Sequence, residues 1–392
     1  MWMPQEDGDR RDGPPGRGPL VVAAPMGEDD AWYVTYVTQG ATGRRPVPWP
    51  AGEDLATVVE REQERRRRNH GDEGEVTGVL VLLGTSTPHP RHLPEGALVA
   101  RLEPDPTPTR TRAEGPGSKR REAEIPRDAC GIPVLCLPRD VEHLVSLLLR
   151  CEFPPHARLL CLTGARGGLG TTTLAGALAR TLAASGTEVA LVDLDPAGGL
   201  GLVLGAESRS GLRWADLPQD EDTFHPLRLQ GALPHWHRVP FLTGDGRGRV
   251  PRGAAAGPVL RALAGANDLV VVDLPRGQAP PAGAQVLLVA GLDVRSAVGA
   301  EALATELAVR ADGTGQVGTA GMPGLAGIVV RTVGEDVTVE DLEAMTHATC
   351  LAQLGTDRAV ARRCSRGEDP TEARGVLRQA AAALARHLGP ET

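Results

Sequence analysis

The residues with the clearest chemical potential lie in the glycine-rich string LTGARGGLGTTTLA, which spans residues 162–175. Glycines let successive backbone N–H groups turn toward an anion, and the positive end of a following helix adds to that attraction. A hydroxyl at the start of such a helix can ligate Mg²⁺. The string therefore predicts a phosphate-binding loop. Its candidate ligands are four glycines and three threonines: Gly164, Gly167, Gly168, Gly170, Thr171, Thr172 and Thr173.

The loop lacks the lysine that phosphate loops of the form G-x-x-x-x-G-K-[ST] carry. Thr171 stands at the lysine position and Thr172 at the hydroxyl position. The single lysine of the chain, Lys119, lies far away in sequence, so Arg166 is the only cation within the string. On the glycines alone, a tight strand-to-helix connection explains the string as well as phosphate binding does.

Acidic residues at two predicted strand ends favour phosphate binding. The strand in LVDLDPAGGLG (191–201) ends in Asp193 and Asp195, and the strand in DLVVVDLP (268–275) ends in Asp273. Carboxylates gathered at the carboxyl end of a parallel sheet are costly unless a cation lies near. The alternative for Asp193 and Asp195 is that either one caps the following turn.

Strands and helices alternate from residue 157 to the end of the chain. Uninterrupted Val- and Leu-rich strands of this kind are typical of a doubly wound, mostly parallel α/β sheet. We therefore predict a nucleotide-binding domain over 157–392. Its predicted strands are 158–163, 188–195, 267–275, 285–291 and 325–331, and its predicted helices are 171–186, 296–311, 339–345, 357–363 and 371–388.

The preceding half reads as a smaller α/β domain over 20–151, after a disordered tail at 1–19. Its order resembles a response-regulator receiver, with a Pro- and charge-rich insertion at 103–128 in place of a late helix. The receiver would be degenerate, because no Asp ends its third strand and no Lys follows its fifth. Its predicted strands are 20–24, 77–84, 97–102 and 132–138, and its predicted helices are 54–68 and 139–151. The arginine run 65–68 is interpreted as an exposed face paired with nearby glutamates.

The string Arg166-Gly-Gly-Leu-Gly-Thr-Thr-Thr resembles the deviant Walker A loop K-G-G-x-G-K-[ST]-[ST] of the MinD/ParA ATPases, in the lysine-free form of CpaE-like proteins. The resemblance implies ATP and Mg²⁺ as ligands. It also implies a nucleotide-dependent homodimer in which Arg166 replaces the signature lysine and reaches the partner subunit's phosphates.

By the same resemblance, Asp195 would position the attacking water and Asp193 would lie near the Mg²⁺ ligands. Asp273 would hold Mg²⁺ through water, together with Thr172. One departure concerns the nucleobase: the strand that in this family often ends in an adenine-reading Asn here ends in Arg331. The nucleobase is therefore left open, as is the choice between weak ATP hydrolysis and a non-hydrolysing pseudo-ATPase.

Further strings, among them GLRWADLP (211–218) and GIVVRT (327–332), resemble CpaE-like and septum site-determining proteins. The resemblance implies a role in cell division, or alternatively in Tad-type pilus or secretion assembly, with proteins of that machinery as partners. Composition predicts a cytoplasmic chain. The net charge of −8 argues against nucleic acid. The mostly alanine apolar stripe of the final helix favours packing on its own domain over more than peripheral membrane contact.

Overall fold

The computed structural model describes residues 18–26, 28–50, 52–70, 76–90, 92–103, 125–219, 221–312 and 324–388. The chain divides into two compact units, Met1–Pro154 and Pro155–Thr392.

The first unit is a five-stranded parallel sheet in the order β2-β1-β3-β4-β5. This is the strand order of flavodoxin-like and receiver folds. Its strands are β1 Gly18–Ala23, β2 Val47–Pro48, β3 Val76–Leu83, β4 Leu98–Leu102 and β5 Val134–Leu135. Its helices are α1 Glu28–Thr42, α2 Leu55–His70 and α3 Val141–Glu152.

Alternation along the strands of this unit builds a core on each face of the sheet. Val21, Leu80 and Leu82 pack toward α1 and α3 in one cluster. Leu20 and Val81 pack toward α2 in the other. The two faces account for the near-continuous apolar character of β1 and β3.

The sequence prediction for this unit needs several corrections. Helix α1 was not predicted, since the acidic start and exposed aromatics of EDDAWYVTYVTQGAT obscure its apolar spacing. The strand predicted at 132–138 is only two residues long. Gly18 and Pro19, predicted as tail, begin β1, whereas the rest of the tail lies outside the described residues, as does 104–124 of the predicted insertion.

One arginine of the run at 65–68 is buried, contrary to the interpretation of an exposed face. The side chain of Arg66 is 7% exposed and donates to the carbonyls of Gly18 and Pro19. Burial, followed by the nearby charge of Arg44, lowers the pKa of Arg66 to about 10. The other pairings are as expected, with Arg65 on Glu62 and Arg68 on Glu64.

The second unit is an eight-stranded sheet in the order β13-β12-β11-β6-β10-β7-β9-β8. All neighbours are parallel except β8 and β9, so the predicted doubly wound, mostly parallel fold is confirmed. Its strands are β6 Arg158–Gly164, β7 Val189–Asp193, β8 His235–Trp236, β9 Val239–Leu242, β10 Leu269–Asp273, β11 Gln285–Gly291, β12 Leu325–Arg331 and β13 Cys350–Leu354. Its helices are α4 Thr171–Ala184, α5 Leu200–Val203, α6 Pro226–Ala232, α7 Gly257–Ala264, α8 Val294–Asp312, α9 Val339–Thr346, α10 Arg358–Ser365 and α11 Val376–Leu388.

Small side chains bring the first helix of this unit close to its neighbours. A Cβ added at Gly176 of α4 would lie 2.5 Å from a methyl group of Leu204, so a larger residue there would displace that side chain. The last helix, α11, buries Leu377, Ala381 and Leu384 against α4 and β13. Its apolar stripe is thus used within the fold. Among the described residues, no helix has the length and apolar character needed to cross a membrane.

Candidate functional site

The glycine string forms the turn between β6 and α4. Gly168 and Gly170 have φ angles of 78° and 82°, a left-handed conformation that favours glycine. Gly164 is required for another reason: a Cβ there would lie 2.9 Å from both the Arg166 carbonyl oxygen and the Thr171 hydroxyl oxygen. The amide of Ala165, at the start of the loop, donates a hydrogen bond of 2.8 Å to the carbonyl of Val289 in β11. The backbone thus has the shape of a phosphate-binding turn.

Arg166 is held within its own chain. Its Nε and Nη2 both donate to Oδ2 of Asp293, at 3.0 and 2.9 Å, and its Nη1 donates to the Gly167 carbonyl. The other oxygen of Asp293 accepts from the Ser296 amide at the start of α8. Burial pushes the pKa of Asp293 upward, but these bonds outweigh it and the net pKa is lowered. The charge of Arg166, the loop's only arginine, is therefore paired with Asp293 in this conformation.

Asp193 and Asp273 are direct neighbours across the β7–β10 pair, and Asp273 is also in register with Leu162 of β6. Asp193 is 1% exposed and Asp273 is 6% exposed. Both carboxyl groups therefore lie together at the carboxyl edge of the central strands, beside the start of the loop. Their closeness and burial disfavour full ionisation of the pair.

Asp193 is fully engaged by protein groups. It accepts from the Asp195 amide at 2.8 Å, from the Leu200 amide at 3.3 Å and from the Thr243 hydroxyl at 2.7 Å. The indole of Trp214 donates to its backbone carbonyl at 2.7 Å. Burial raises the pKa of Asp193, and these bonds partly oppose that rise. Asp193 thus organises the loops that follow β7 and β9.

Asp273 is less well satisfied. Burial, then the charges of Asp193 and Asp195, raise its pKa to about 7, whereas a hydrogen bond from the Thr172 hydroxyl lowers it. Thr172 is the first-turn hydroxyl of α4, so this bond joins the loop's helix to the carboxylate pair. A bound cation would relieve the buried charge.

Asp195 is half-buried and one of its oxygens accepts from the Ala197 amide at 2.9 Å. Together with the Asp195 amide bond to Asp193, this shows that both acids of the D-x-D string support the turn, as the capping alternative supposed. Among the described residues, no three His, Cys, Asp or Glu side chains are arranged to hold a metal. Mg²⁺ typically binds through one or two carboxylates plus phosphate oxygens and water, and Thr172 and Asp273 fit that requirement.

A cleft opens from the loop toward the ends of β12 and β13. Its volume is about 160 Å³, and its walls combine loop residues with residues near the starts of α10 and α11. The lining residues are Gly168, Gly170, Thr173, Arg331, Leu354, Gly355, Thr356, Asp357, Val360, Ala361, Val376 and Leu377. Thr173 and two loop glycines thus face the cleft, while Thr172 and the acids are not among its lining residues.

The structure therefore brings the predicted glycines, threonines and acids to one edge of the sheet. Sequence reasoning missed four residues that organise this edge: Asp293, Thr243, Trp214 and Asp357. A signal existed for two of them, because Asp293 and Asp357 each stand just before a helix, where aspartate is a preferred N-cap. Thr243 directly follows β9 and Trp214 begins a short 3₁₀ helix, and no local pattern indicates their contact with Asp193.

Several known proteins are similar to parts of this chain. Residues 157–308 match the family model described as cellulose biosynthesis protein BcsQ. An uncharacterized protein of Mycobacterium tuberculosis is 32% identical over 232 residues, which is 56% of this chain and 65% of that protein. The match thus covers just under two thirds of the relative's length. The chromosome partitioning protein ParA of Myxococcus xanthus is 33% identical over 133 residues, 30% of this chain and 44% of that protein.

Among solved structures, a ParA family ATPase from Chlorobium tepidum aligns with a TM-score of 0.49 and 15% identity, over 60% of this chain and all of that one. The septum site-determining protein MinD of Pyrococcus horikoshii, complexed with Mg-ADP, aligns with a TM-score of 0.47 and 18% identity, over 60% of this chain and 96% of that one. The sequence similarity to the BcsQ family model extends over residues 157–308 of the second unit.

Proposed function

We propose that the second unit binds a Mg²⁺–nucleoside triphosphate and acts as a nucleotide-dependent switch. One observation carries the proposal: Asp193 and Asp273 lie buried side by side, and Thr172 at the start of α4 bonds to Asp273. Two adjacent buried carboxyl groups are unfavourable by themselves. Because these carboxyl groups lie beside a glycine turn with left-handed residues, a bound Mg²⁺–phosphate group would stabilise them.

In this arrangement each part has a separate task. The amides of the glycine turn would bind the phosphates, and the Thr172 hydroxyl and Asp273 would hold Mg²⁺. A bound Mg²⁺ would neutralise charge on the phosphates. Asp195, half-buried at the same edge, would orient a water molecule, as the motif resemblance implies.

Arg166 provides the link between nucleotide and oligomeric state. Its pairing with Asp293 keeps it in its own chain, while its quarter-exposed side chain lies at the surface of the turn. A phosphate of a second chain would compete with Asp293 for the guanidinium, because arginine binds phosphate through two parallel hydrogen bonds. We therefore propose a homodimer that forms with nucleotide bound and in which Arg166 acts across the interface.

A second function, a scaffold that binds nucleotide without hydrolysing it, is favoured by Thr171. A lysine at this position would place a charge on the phosphates in the transition state, and such contacts contribute several kcal/mol to catalysis. The Thr171 hydroxyl lies against Gly164 instead. Slow or absent turnover is therefore the expected behaviour, and phosphate release from bound triphosphate separates the two functions.

The cellular role that the motif resemblance supports is placement or inhibition of the division septum. Localisation of a Tad-type pilus or secretion apparatus is the alternative. A fluorescent fusion in the native host distinguishes them. Enrichment at the septum, with filamentous or minicell-forming cells after deletion, supports the division role. Polar foci, with loss of pili or secretion and normal division, support the alternative.

The binding proposal is tested with the purified full chain by titration calorimetry with nucleoside triphosphates, with and without Mg²⁺, while light scattering follows the mass. We expect Mg²⁺-dependent binding and a shift from monomer to dimer. Thr172→Ala should weaken binding at least about tenfold. Thr181→Ala is the matched control, since that hydroxyl lies on the same helix and, within the described residues, bonds to the Ala177 carbonyl. No binding at millimolar nucleotide, or equal binding by both variants, would refute the proposal.

A further inference from the structure

Two segments outside the sheet hold Asp193 in place. The Thr243 hydroxyl, just after β9, donates to the Asp193 carboxylate at 2.7 Å. The Trp214 indole donates to the Asp193 carbonyl, also at 2.7 Å. The two segments contact each other as well, because the Trp214 amide donates to the Thr243 carbonyl at 3.2 Å. The position of this buried acid therefore depends on how firmly the two segments are joined.

Arg247 joins the same two segments at the protein surface. Its Nη1 and Nη2 donate to the two carboxylate oxygens of Asp216 at 2.6 and 3.0 Å, which makes a forked pair. Its Nη2 and Nε also donate to Oδ2 of Asp245, at 2.6 and 3.0 Å. Asp216 ends the 3₁₀ helix that begins at Trp214, and Asp245 lies two residues after Thr243. One guanidinium thus bridges carboxylates of both segments.

The bridge holds together two groups that would otherwise repel. Hydrogen bonds from Arg247, followed by one from the Arg213 amide, lower the pKa of Asp216 to about 2. Hydrogen bonds from Arg247 also lower the pKa of Asp245, against the opposing charge of Asp216. Isolated exposed ion pairs contribute little, but a forked pair within a network of charges is held more firmly. Without the guanidinium, two like charges would face each other across the segments.

The loop after β9 also contacts the turn that follows Asp195. A Cβ added at Gly198 of that turn would lie 3.0 Å from the carbonyl carbon and oxygen of Gly244. The amides of Asp195 and Leu200 donate to the Asp193 carboxylate. A shift of the loop after β9 would therefore move both the Asp193 carboxylate and the turn that carries Asp195.

We propose that Arg247 is a positioning residue that sets the affinity of the site for Mg²⁺. It acts through Asp216 and Asp245, whose segments fix Asp193 beside Asp273. This inference rests on the proposed nucleotide function. Residues that orient metal ligands contribute about ten- to a hundredfold to metal affinity. Arg247 acts one contact further out and through exposed pairs, so we expect a smaller effect of about threefold to tenfold.

The first test measures binding of a non-hydrolysable ATP analogue to the full chain at increasing Mg²⁺ concentration. Arg247→Gln should need about threefold to tenfold more Mg²⁺ for half-maximal binding. The amount of analogue bound at saturating Mg²⁺ should equal that of the wild-type chain, because the glycine turn is intact. Arg249→Gln is the matched control, since that arginine is exposed in the same loop but lies outside the bridge.

A second measurement uses the protein without metal or nucleotide. The exchange rates of the Asp195 and Leu200 amide hydrogens report on their bonds to the Asp193 carboxylate. Arg247→Gln should raise both rates at least about threefold, because the support of that carboxylate is loosened. The Ala165 amide, which bonds to β11, should keep its exchange rate and serves as the internal reference.

A double variant tests whether Arg247 acts through the bridge. Asp216→Asn breaks the bridge from its other end, so adding Arg247→Gln to it should not weaken Mg²⁺ affinity further. Mutations that act through one shared interaction are not additive, whereas independent ones are. Additive losses would therefore show that Arg247 affects the site by another route, and the proposal would be wrong.

The outcomes separate this inference from the proposed function. Unchanged Mg²⁺ dependence in Arg247→Gln, with a wild-type chain that responds to Mg²⁺, overturns the role of Arg247 and leaves the nucleotide switch standing. Faster exchange of the Ala165 amide as well would indicate general loosening of the unit and would also overturn it. Absence of Mg²⁺-dependent binding by a wild-type chain shown to be folded by circular dichroism overturns the proposed function itself.

Discussion

Replacing Asp273 with asparagine should stabilise the metal-free protein while abolishing Mg²⁺-dependent nucleotide binding. The folded pKa of Asp273 is about 7 against an ordinary value of 3.8, and burial is the main cause. A rise of about three pH units means that ionising the buried group lowers the free energy of unfolding by ~4 kcal/mol. Asparagine fills nearly the same volume and can still accept from Thr172, so it removes the charge without removing the packing.

The pH dependence of this stability difference follows from the linkage between proton binding and folding. Because the folded pKa is raised, the contribution of Asp273 to stability is most favourable below pH 3.8 and is lost as the pH rises toward 7. Asp273→Asn should therefore exceed wild type by up to ~4 kcal/mol at pH 8, but by only about 2 kcal/mol at pH 5, where the folded wild-type group is still protonated. In a unit of this size, the pH 8 difference raises Tm by on the order of 10 °C.

The assay is thermal unfolding in EDTA at both pH values, with Asp268→Asn as the control. Asp268 is an exposed carboxylate that bonds to the Glu188 amide at the opposite end of the same strand. A lower Tm of Asp273→Asn at pH 8, or an equal effect at pH 5 and pH 8, would refute the raised pKa of Asp273. Saturating Mg²⁺–nucleotide should reverse the order, since only the wild-type chain gains binding free energy.

Three further outcomes follow from the site. Thr171→Lys restores the missing loop charge, and phosphate release should rise at least about tenfold if the site hydrolyses nucleotide at all; no change would mean that turnover is limited elsewhere. Asp293→Asn removes the charge that pairs with Arg166, so light scattering should show the dimer at a several-fold lower nucleotide concentration. An unchanged midpoint would mean that the ion pair does not restrain dimerisation. Trp214→Phe loses the indole bond to the Asp193 carbonyl and should cost roughly 1–3 kcal/mol of stability, read as a lower Tm; a loss below 0.5 kcal/mol would contradict the role of that bond.

Much of the second unit was predictable because its signals are local. Strands β11 and β12 were predicted with the boundaries that the structure shows, since each is a continuous apolar run between turn residues. The short β8 and β9 and helices α5 to α7 were missed. Their apolar residues are few, and their stability comes from packing on β7 and β10 rather than from periodicity.

By itself, the sequence determined the glycine-rich turn, the three acids at strand ends and the absence of a loop lysine, because the spacing between a strand and a helix places such residues without knowledge of the rest of the chain. Only the tertiary structure decided which groups face each other. It put Asp193 beside Asp273, tied Arg166 to Asp293, and brought Arg331 and Asp357 to one cleft. Strand order and register set these contacts, and both depend on burial over the whole sheet rather than on any local string.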